Sequence, residues 1–252
     1  MSLFSYEQNL KTVNLNKVQY LVMTKISELL LEKGAMIFGG FVRDKYIHDH
    51  HATLYYNKYE GSDSQYDDKD HVPETKHRLL VPKDIDVFIR GTEEDVKEVY
   101  AFITASGFTV DINHRRKIYG AFDNIHQQKV VIKTMSNLGF PVIKIDLDVL
   151  YSSDEKVKPP FKRLDLWCNS LIMDKAGITF SNQTGSRVDN WNPFDRKIFE
   201  IGILSEILNL KTHAVELTDE NTNEQSIKNK QMITRRIEVM QERGWIVKDT
   251  TY

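Results

Sequence analysis

Pro82-Lys83-Asp84-Ile85-Asp86-Val87-Phe88-Ile89 is the stretch on which the reading of this chain turns. It reads as a strand, and alternate residues of a strand share a face. Asp84 and Asp86 therefore point the same way. Two carboxylates held side by side in a folded protein normally need a cation between them. The pair is the first sign of metal-assisted chemistry on a phosphate.

Two neighbouring stretches bear on it. Upstream, Gly39-Gly40-Phe41-Val42-Arg43-Asp44 reads as a glycine turn between a short strand and a helix. Glycines there let a ligand approach the backbone, and the unpaired N–H groups of a helix N-terminus suit a phosphate. Downstream, Val142 to Leu150 reads as a second carboxylate-bearing strand. Lys144, Asp146 and Asp148 share one face of it, and Ile143, Ile145, Leu147 and Val149 share the other, which should be buried. Asp146 and Asp148 are both candidates for a third carboxylate. Such a set of hard oxygen ligands favours Mg2+ or Mn2+ over zinc.

Composition bounds the fold and the partners. The chain has 252 residues, with 40% hydrophobic and 28% charged content, so a packed globular fold is expected. A net charge of −2 neither requires nor excludes a nucleic-acid partner. The single cysteine, Cys168, rules out an internal disulfide and a cysteine metal cage. No apolar run reaches membrane-spanning length, and the N-terminus lacks the features of a signal peptide. Cytoplasmic residence with no membrane partner is the expectation.

The periodicity predicts a helix over Asn16–Lys33, a strand over Ala35–Phe38 and a helix over Phe41–Ile47. A polar insertion or loop is expected from 48 to 78. A helix opened by Thr92 and stopped by Gly107 follows the Asp84–Asp86 strand, then strands over Phe108–Ile112, Lys117–Phe122 and Lys129–Met135. Ser152–Lys162 reads as a hinge, Asp165–Ser181 as a short helix and a hairpin around Lys175-Ala176-Gly177, and Phe194–Leu210 and Ser226–Arg243 as helices. The fold class expected is α+β: a mixed sheet with helices packed on one side, then a small, mainly helical C-terminal region. The division expected is a catalytic domain over 1–151 and a neck-like region over 152–252.

With these elements in place, the sequence resembles the nucleotidyltransferase superfamily that includes DNA polymerase beta. Within it, the chain is similar to the head domains of bacterial-type CCA-adding enzymes and poly(A) polymerases. Those carry Gly-Gly-x-Val-Arg-Asp, then Asp-x-Asp, then Arg-Arg-Asp-Phe-Thr-x-Asn-Ala-Leu. Here the motifs are Gly39 to Asp44, Asp84-Ile85-Asp86, and Arg163-Leu164-Asp165-Leu166-Trp167-Cys168-Asn169-Ser170-Leu171. The resemblance implies an NTP substrate, ATP included, and transfer of its NMP to an acceptor hydroxyl such as an RNA 3′ end. It implies Asp84, Asp86 and Asp146 as metal ligands and catalytic residues. Gly39 and Gly40 would bind the triphosphate, with Arg43 supporting it or pairing with a nearby carboxylate. Arg163 would reach phosphate, and Asp165 and Asn169 the ribose or base.

The departures leave the acceptor open. The family's base-selecting Glu-Asp-x-x-Arg is not evident, although Ile233 to Trp245 resembles the segment that follows it. The helical body that holds tRNA in the family is expected to be missing. A protein or small-molecule acceptor is one alternative, and a non-catalytic nucleotide- or RNA-binding protein is another. The histidines His48, His50, His51, His71 and His77 could build a zinc site, with a solvated loop as the plainer alternative. Arg115-Arg116-Lys117 and Lys156 to Arg163 could grip an RNA backbone or simply be solvated. Trp167, Trp191 and Trp245 read as core. The oligomeric state is not legible.

Overall fold

A computed structural model describes residues 3–59, 82–116, 124–135, 141–157, 159, 166–181, 192–214 and 224–248. Helix α1 (Leu3–Glu32) leads through Gly34 to strand β1 (Met36–Phe38) and helix α2 (Gly40–Tyr59). Strand β2 (Asp84–Arg90), helix α3 (Glu93–Ala105) and strands β3 (Phe108–Arg116), β4 (His126–Thr134) and β5 (Lys144–Ser152) follow. A 3-10 turn at Trp167–Asn169 precedes the hairpin β6 (Leu171–Asp174) and β7 (Gly177–Phe180). Helix α4 (Pro193–Leu208), strand β8 (Lys211–His213), helix α5 (Glu224–Glu242) and strand β9 (Ile246–Lys248) complete it.

The main sheet has seven strands in the order β3-β4-β5-β2-β1-β6-β7. Strands β2 and β5 are parallel, while every other neighbouring pair in it is antiparallel. The mixed sheet and its helices make an α+β protein, as the sequence pattern predicts. One sheet face carries Ile37, Ile85, Val87, Ile145, Leu147 and Val149, all buried in the main core with Met23, Ile26 and Leu30 of α1, Phe41 and Val42 of α2, and Val96 and Ile103 of α3. Burying a side chain of this size contributes about 1.5–3 kcal/mol before entropy is counted. This core locks the strand register, because a slip of one residue would turn the aspartates inward.

Local chemistry explains the helix α3 boundary. Thr92 accepts from the Asp95 backbone N–H, and the Asp95 carboxylate accepts from the Thr92 backbone N–H at 2.7 Å, a reciprocal cap. Val96, Val99, Tyr100 and Ile103 then recur on the buried side.

Several boundaries differ from expectation. Helix α2 continues to Tyr59, through the first part of the stretch expected to be a loop. Its 48–50 segment carries ring contacts, with the His48 ring tilted 4.3 Å from Tyr20 and the His50 ring stacked 6.5 Å from Tyr46. The side chains of His51, His71 and His77, needed for the zinc alternative, lie outside the described residues, as do the expected 117–122 strand and Trp191. Trp167 and Trp245 are buried. The expected division at 151/152 is crossed by the main sheet, since β6 and β7 extend it beyond β1.

The C-terminal elements include a two-stranded parallel sheet that helical periodicity did not reveal. Strands β8 and β9 align Lys211 with Ile246 and His213 with Lys248, with α5 in the crossover. This unit docks on the 167–169 turn: the Cys168 N–H donates to Thr212 Oγ1 at 3.1 Å, and Leu166 forms a bridge with Ala214. No helix among the described residues is long and apolar enough to cross a membrane.

Candidate functional site

The parallel pair β2–β5 places Asp84 opposite Asp146 and Asp86 opposite Asp148. Paired residues of adjacent strands share a face and sit about 4.8 Å apart. The four carboxylates therefore occupy one patch on the face away from α1–α3. Asp84 and Asp146 are exposed; Asp86 and Asp148 are half-buried. Further along the same face, Phe88 and Leu150 form a small apolar cluster with Ile125.

Strand β1 adds the glycine turn. It pairs with β2 so that Phe38 lies opposite Asp86. Gly39 follows with φ +77°, and a β-carbon on it would stand 2.8 Å from Asp86 Oδ2. Only glycine allows both the dihedral and the approach. Helix α2 starts at the next residue, so its N-terminal turn opens beside the Asp86 carboxylate.

The four aspartates have different partners. Asp148 accepts from Gln127 Nε2 at 2.6 Å and pairs with the Lys129 ammonium. Among the described residues, no side-chain or backbone donor is hydrogen-bonded to the carboxylates of Asp84, Asp86 or Asp146. Burial pushes Asp86 up to about 7, the charges of Asp84 and Asp148 adding to the effect and Lys129 and Arg236 opposing it. Partial burial likewise raises Asp84, with Asp148 and Asp146 acting in the same direction and Lys129 and Arg243 against it. Negative charge is thus held together at a cost, the condition that a bound cation relieves.

Whether a divalent ion fits is a question of donors and of placement. The donors fit: three carboxylates that accept no hydrogen bond from the described residues offer hard oxygen atoms of the kind Mg2+ or Mn2+ takes. The placement is less advanced. Among the described residues, no group of three or more His, Cys, Asp or Glu is arranged to hold a metal ion. Asp84, Asp86 and Asp146 share a face and adjacent strands without being gathered into such a group.

Arg43 takes the second of its two expected roles. It is 3% exposed, and its Nε donates to Asp44 Oδ1 at 2.7 Å, with Asp44 itself 2% exposed. Burial would lower the Arg43 pKa, but the Asp44 carboxylate outweighs it and the net direction is upward. One Nη1 bond runs to Asn169 Oδ1 at 3.0 Å and a weaker one to Met240 Sδ at 3.6 Å. The guanidinium also sits 5.1 Å from the Trp245 ring. Arg43 therefore joins the start of α2 to the 167–169 turn and to α5. Asn169 is held beside the glycine turn through this bond. Arg163 and Asp165, the other expected residues of that motif, lie outside the described residues.

Two cations near the site were not anticipated. Arg236 and Arg243 of the α5 segment stand close enough for their charge to act on Asp86 and Asp84 respectively. Their seven-residue spacing, two helical turns on one face, was the signal in the sequence. The sequence matches no protein-family model, and no curated protein gives a significant match.

Proposed function

We propose that the protein is a metal-dependent nucleotidyltransferase, moving a nucleoside monophosphate from an NTP to an acceptor hydroxyl, with an RNA 3′ end as the acceptor that the sequence resemblance favours. The observation that carries the reading is the parallel register of Asp84–Asp86 with Asp146–Asp148 beside the Gly39 turn. Carboxylates on adjacent strands next to a helix N-terminus suit a cation and a phosphate bound together.

In this reaction the acceptor oxygen attacks the α-phosphorus. The bond from that phosphorus to the oxygen bridging the α- and β-phosphates breaks, pyrophosphate leaves, and the acceptor proton passes to solvent. A divalent ion, when bound, neutralises developing charge and lowers the pKa of the acceptor hydroxyl. Asp84, Asp86 and Asp146 are the residues that would hold it. Asp148, engaged by Lys129 and Gln127, serves as their neighbour and sets the field on Asp86.

The rest is positioning. Gly39 keeps the backbone clear so that the first N–H groups of α2 can donate to phosphate oxygens. Arg43, buried and tied to Asp44, fixes that turn relative to Asn169. Such preorganised donors and charges are the main source of rate in phosphoryl transfer.

The test is label transfer. The protein is incubated with each labelled NTP separately, Mg2+ or Mn2+, and mixed RNA. Incorporation that disappears in D84A/D86A is the expected result. Absence of incorporation into RNA, protein and small molecules, or incorporation that survives the double substitution, overturns the reading. Label on protein bands alone would move the acceptor from RNA to protein.

A further inference from the structure

We infer that Lys144, with Lys133 beside it, binds the phosphodiester backbone of a single-stranded RNA acceptor, on the flank of the aspartates opposite the glycine turn. This site rests on the nucleotidyl-transfer reading, to which it adds the side from which the acceptor enters and the residues that hold it.

The register of β4 with β5 places two like charges together. Lys133 stands directly opposite Lys144, and one step along the same face Val131 stands opposite Asp146. Facing residues of an antiparallel pair hold their β-carbons about 5 Å apart, and like charges placed so repel. The repulsion is built into a fastened part of the sheet. Just beyond the lysines, the Thr134 N–H donates to the Ile143 carbonyl at 3.1 Å, and the Ile143 N–H donates to Thr134 Oγ1 at 3.0 Å. Fraying of the strand ends therefore does not separate them.

The other charges on this part of the face leave one lysine over. Lys129 is paired with Asp148, and Lys133 with Asp111. Lys144 is exposed, and among the described residues it has no ion pair and its side chain donates no hydrogen bond. Asp146 follows it on the same face, about 7 Å along the strand. An uncommitted cation thus stands next to a proposed metal ligand.

Sheet order gives this cation a side. The strands run β1-β2-β5-β4 across the site. The glycine turn follows β1 and lies against Asp86, while the lysine pair lies on β5 and β4. The aspartates of β2 and β5 stand between the two. With neighbouring strands about 4.8 Å apart, β1 and β4 are separated by about 14 Å, which leaves room for a ligand on each flank. The proposed reaction needs two ligands, and both carry phosphate. The N–H groups at the α2 start suit the NTP. Ammonium groups hold a chain of phosphodiesters by charge, whatever its bases.

Fluorescence anisotropy of a labelled, mixed-sequence RNA oligonucleotide in Mg2+, without NTP, measures this binding over a range of salt. K144A should raise the Kd about fivefold, the worth of one charge contact at about 4 Å in water. It should also flatten the slope of log affinity against log salt by about 0.7. K144R should bind as wild type. D111N should tighten binding, because it releases Lys133 and removes a negative charge. K25A, the same charge change on α1 behind the sheet, should leave binding unaltered. A lysine that only positions Asp146 would act through the metal, so Mn2+ affinity of K144A should hold, and thermal unfolding controls for folding. In label transfer, K144A should raise the KM for RNA and leave the KM for NTP unchanged. No RNA binding by the wild type, unchanged binding in K144A, weaker binding in D111N, weaker Mn2+ binding in K144A, or a raised KM for NTP would each overturn the site. A wild type that binds RNA through Lys144 but transfers no label removes the transfer reaction and leaves the RNA site standing. Transfer to RNA that K144A leaves intact does the reverse.

Discussion

Arg43 Nη1 donates to Asn169 Oδ1 across 3.0 Å, joining residues 126 positions apart in the chain. The bond links the helix that opens at the glycine turn to the 3-10 turn that precedes β6. Two of the sequence motifs that read as parts of one site are thus in direct contact, through a side chain that never reaches solvent.

Arg43→Ala should therefore act on stability first. It leaves the Asp44 carboxylate buried without its partner, which costs about 3–5 kcal/mol. Urea denaturation should show that loss, and R43M/D44L should recover much of it by replacing both charges. Equal stability of R43A and wild type would contradict the burial of this pair.

Gly39→Ala tests the approach of Asp86 to the turn. The new β-carbon meets Asp86 Oδ2 at 2.8 Å, on a backbone with φ +77°. Strain of this kind costs about 1–3 kcal/mol, and the carboxylate must move to relieve it. The melting temperature should fall by several degrees, and Mn2+ binding should weaken even though no proposed ligand has been changed. Gly34→Ala is the comparison: its φ is also +77° but no atom lies within 4 Å of the added carbon, so metal binding should be unaffected.

Asp86 predicts a pH dependence in metal-free protein. Its carboxyl ionises at about 7 in the fold and at about 4 in an unfolded chain. A raised acid pKa stabilises the fold fully below the lower value, and that contribution is lost as pH rises through the upper one. Wild type should therefore lose stability relative to D86N between about pH 4 and pH 7. In EDTA, urea midpoints at pH 5 and pH 8 measure the difference, and an identical gap at both refutes the prediction. Adding Mn2+ at pH 8 should stabilise wild type and leave D86N unchanged.

Asp146 and Asp148 should separate cleanly. Asp148 is engaged by Gln127 and Lys129, whereas Asp146 is exposed and opposite Asp84. D146N should reduce transfer and Mn2+ affinity by about 100-fold or more, as expected when a ligand to a catalytic ion is removed. D148N should cost less than about tenfold in transfer and should lower the pKa of Asp86, which it helps to raise. The reverse order of effects would assign the third carboxylate to Asp148.

These residues also show what the sequence could disclose. Alternation placed Asp84 with Asp86, and Asp146 with Asp148, because a strand has a period of two. It could not say that β2 and β5 are neighbours, since the pairing joins segments separated by α3, β3 and β4. The Thr92 cap and the turn before Gly177 were legible because their side chains act within a few residues. The extension of α2 to Tyr59 was hidden by polar residues that break the apolar period while remaining compatible with a helix. Strands β8 and β9 are three residues each, too short for alternation to register. The face that α5 turns to the start of α2 was not legible either, because it is set by the contact of Met240 with Arg43 across 197 positions of the chain.

The position of β1 in the sheet has a practical bearing on any attempt to cut the protein down. β1 is three residues long and lies between β2 and β6, so its outer hydrogen-bonding edge is covered by a strand from beyond residue 170. A fragment ending at 151 would strip that cover and leave the glycine turn attached to a bare strand edge. Unprotected edges recruit strands from other molecules. The aspartates would survive such a truncation in sequence but not as a soluble unit, so excision of the first 151 residues should yield aggregates rather than a minimal catalyst.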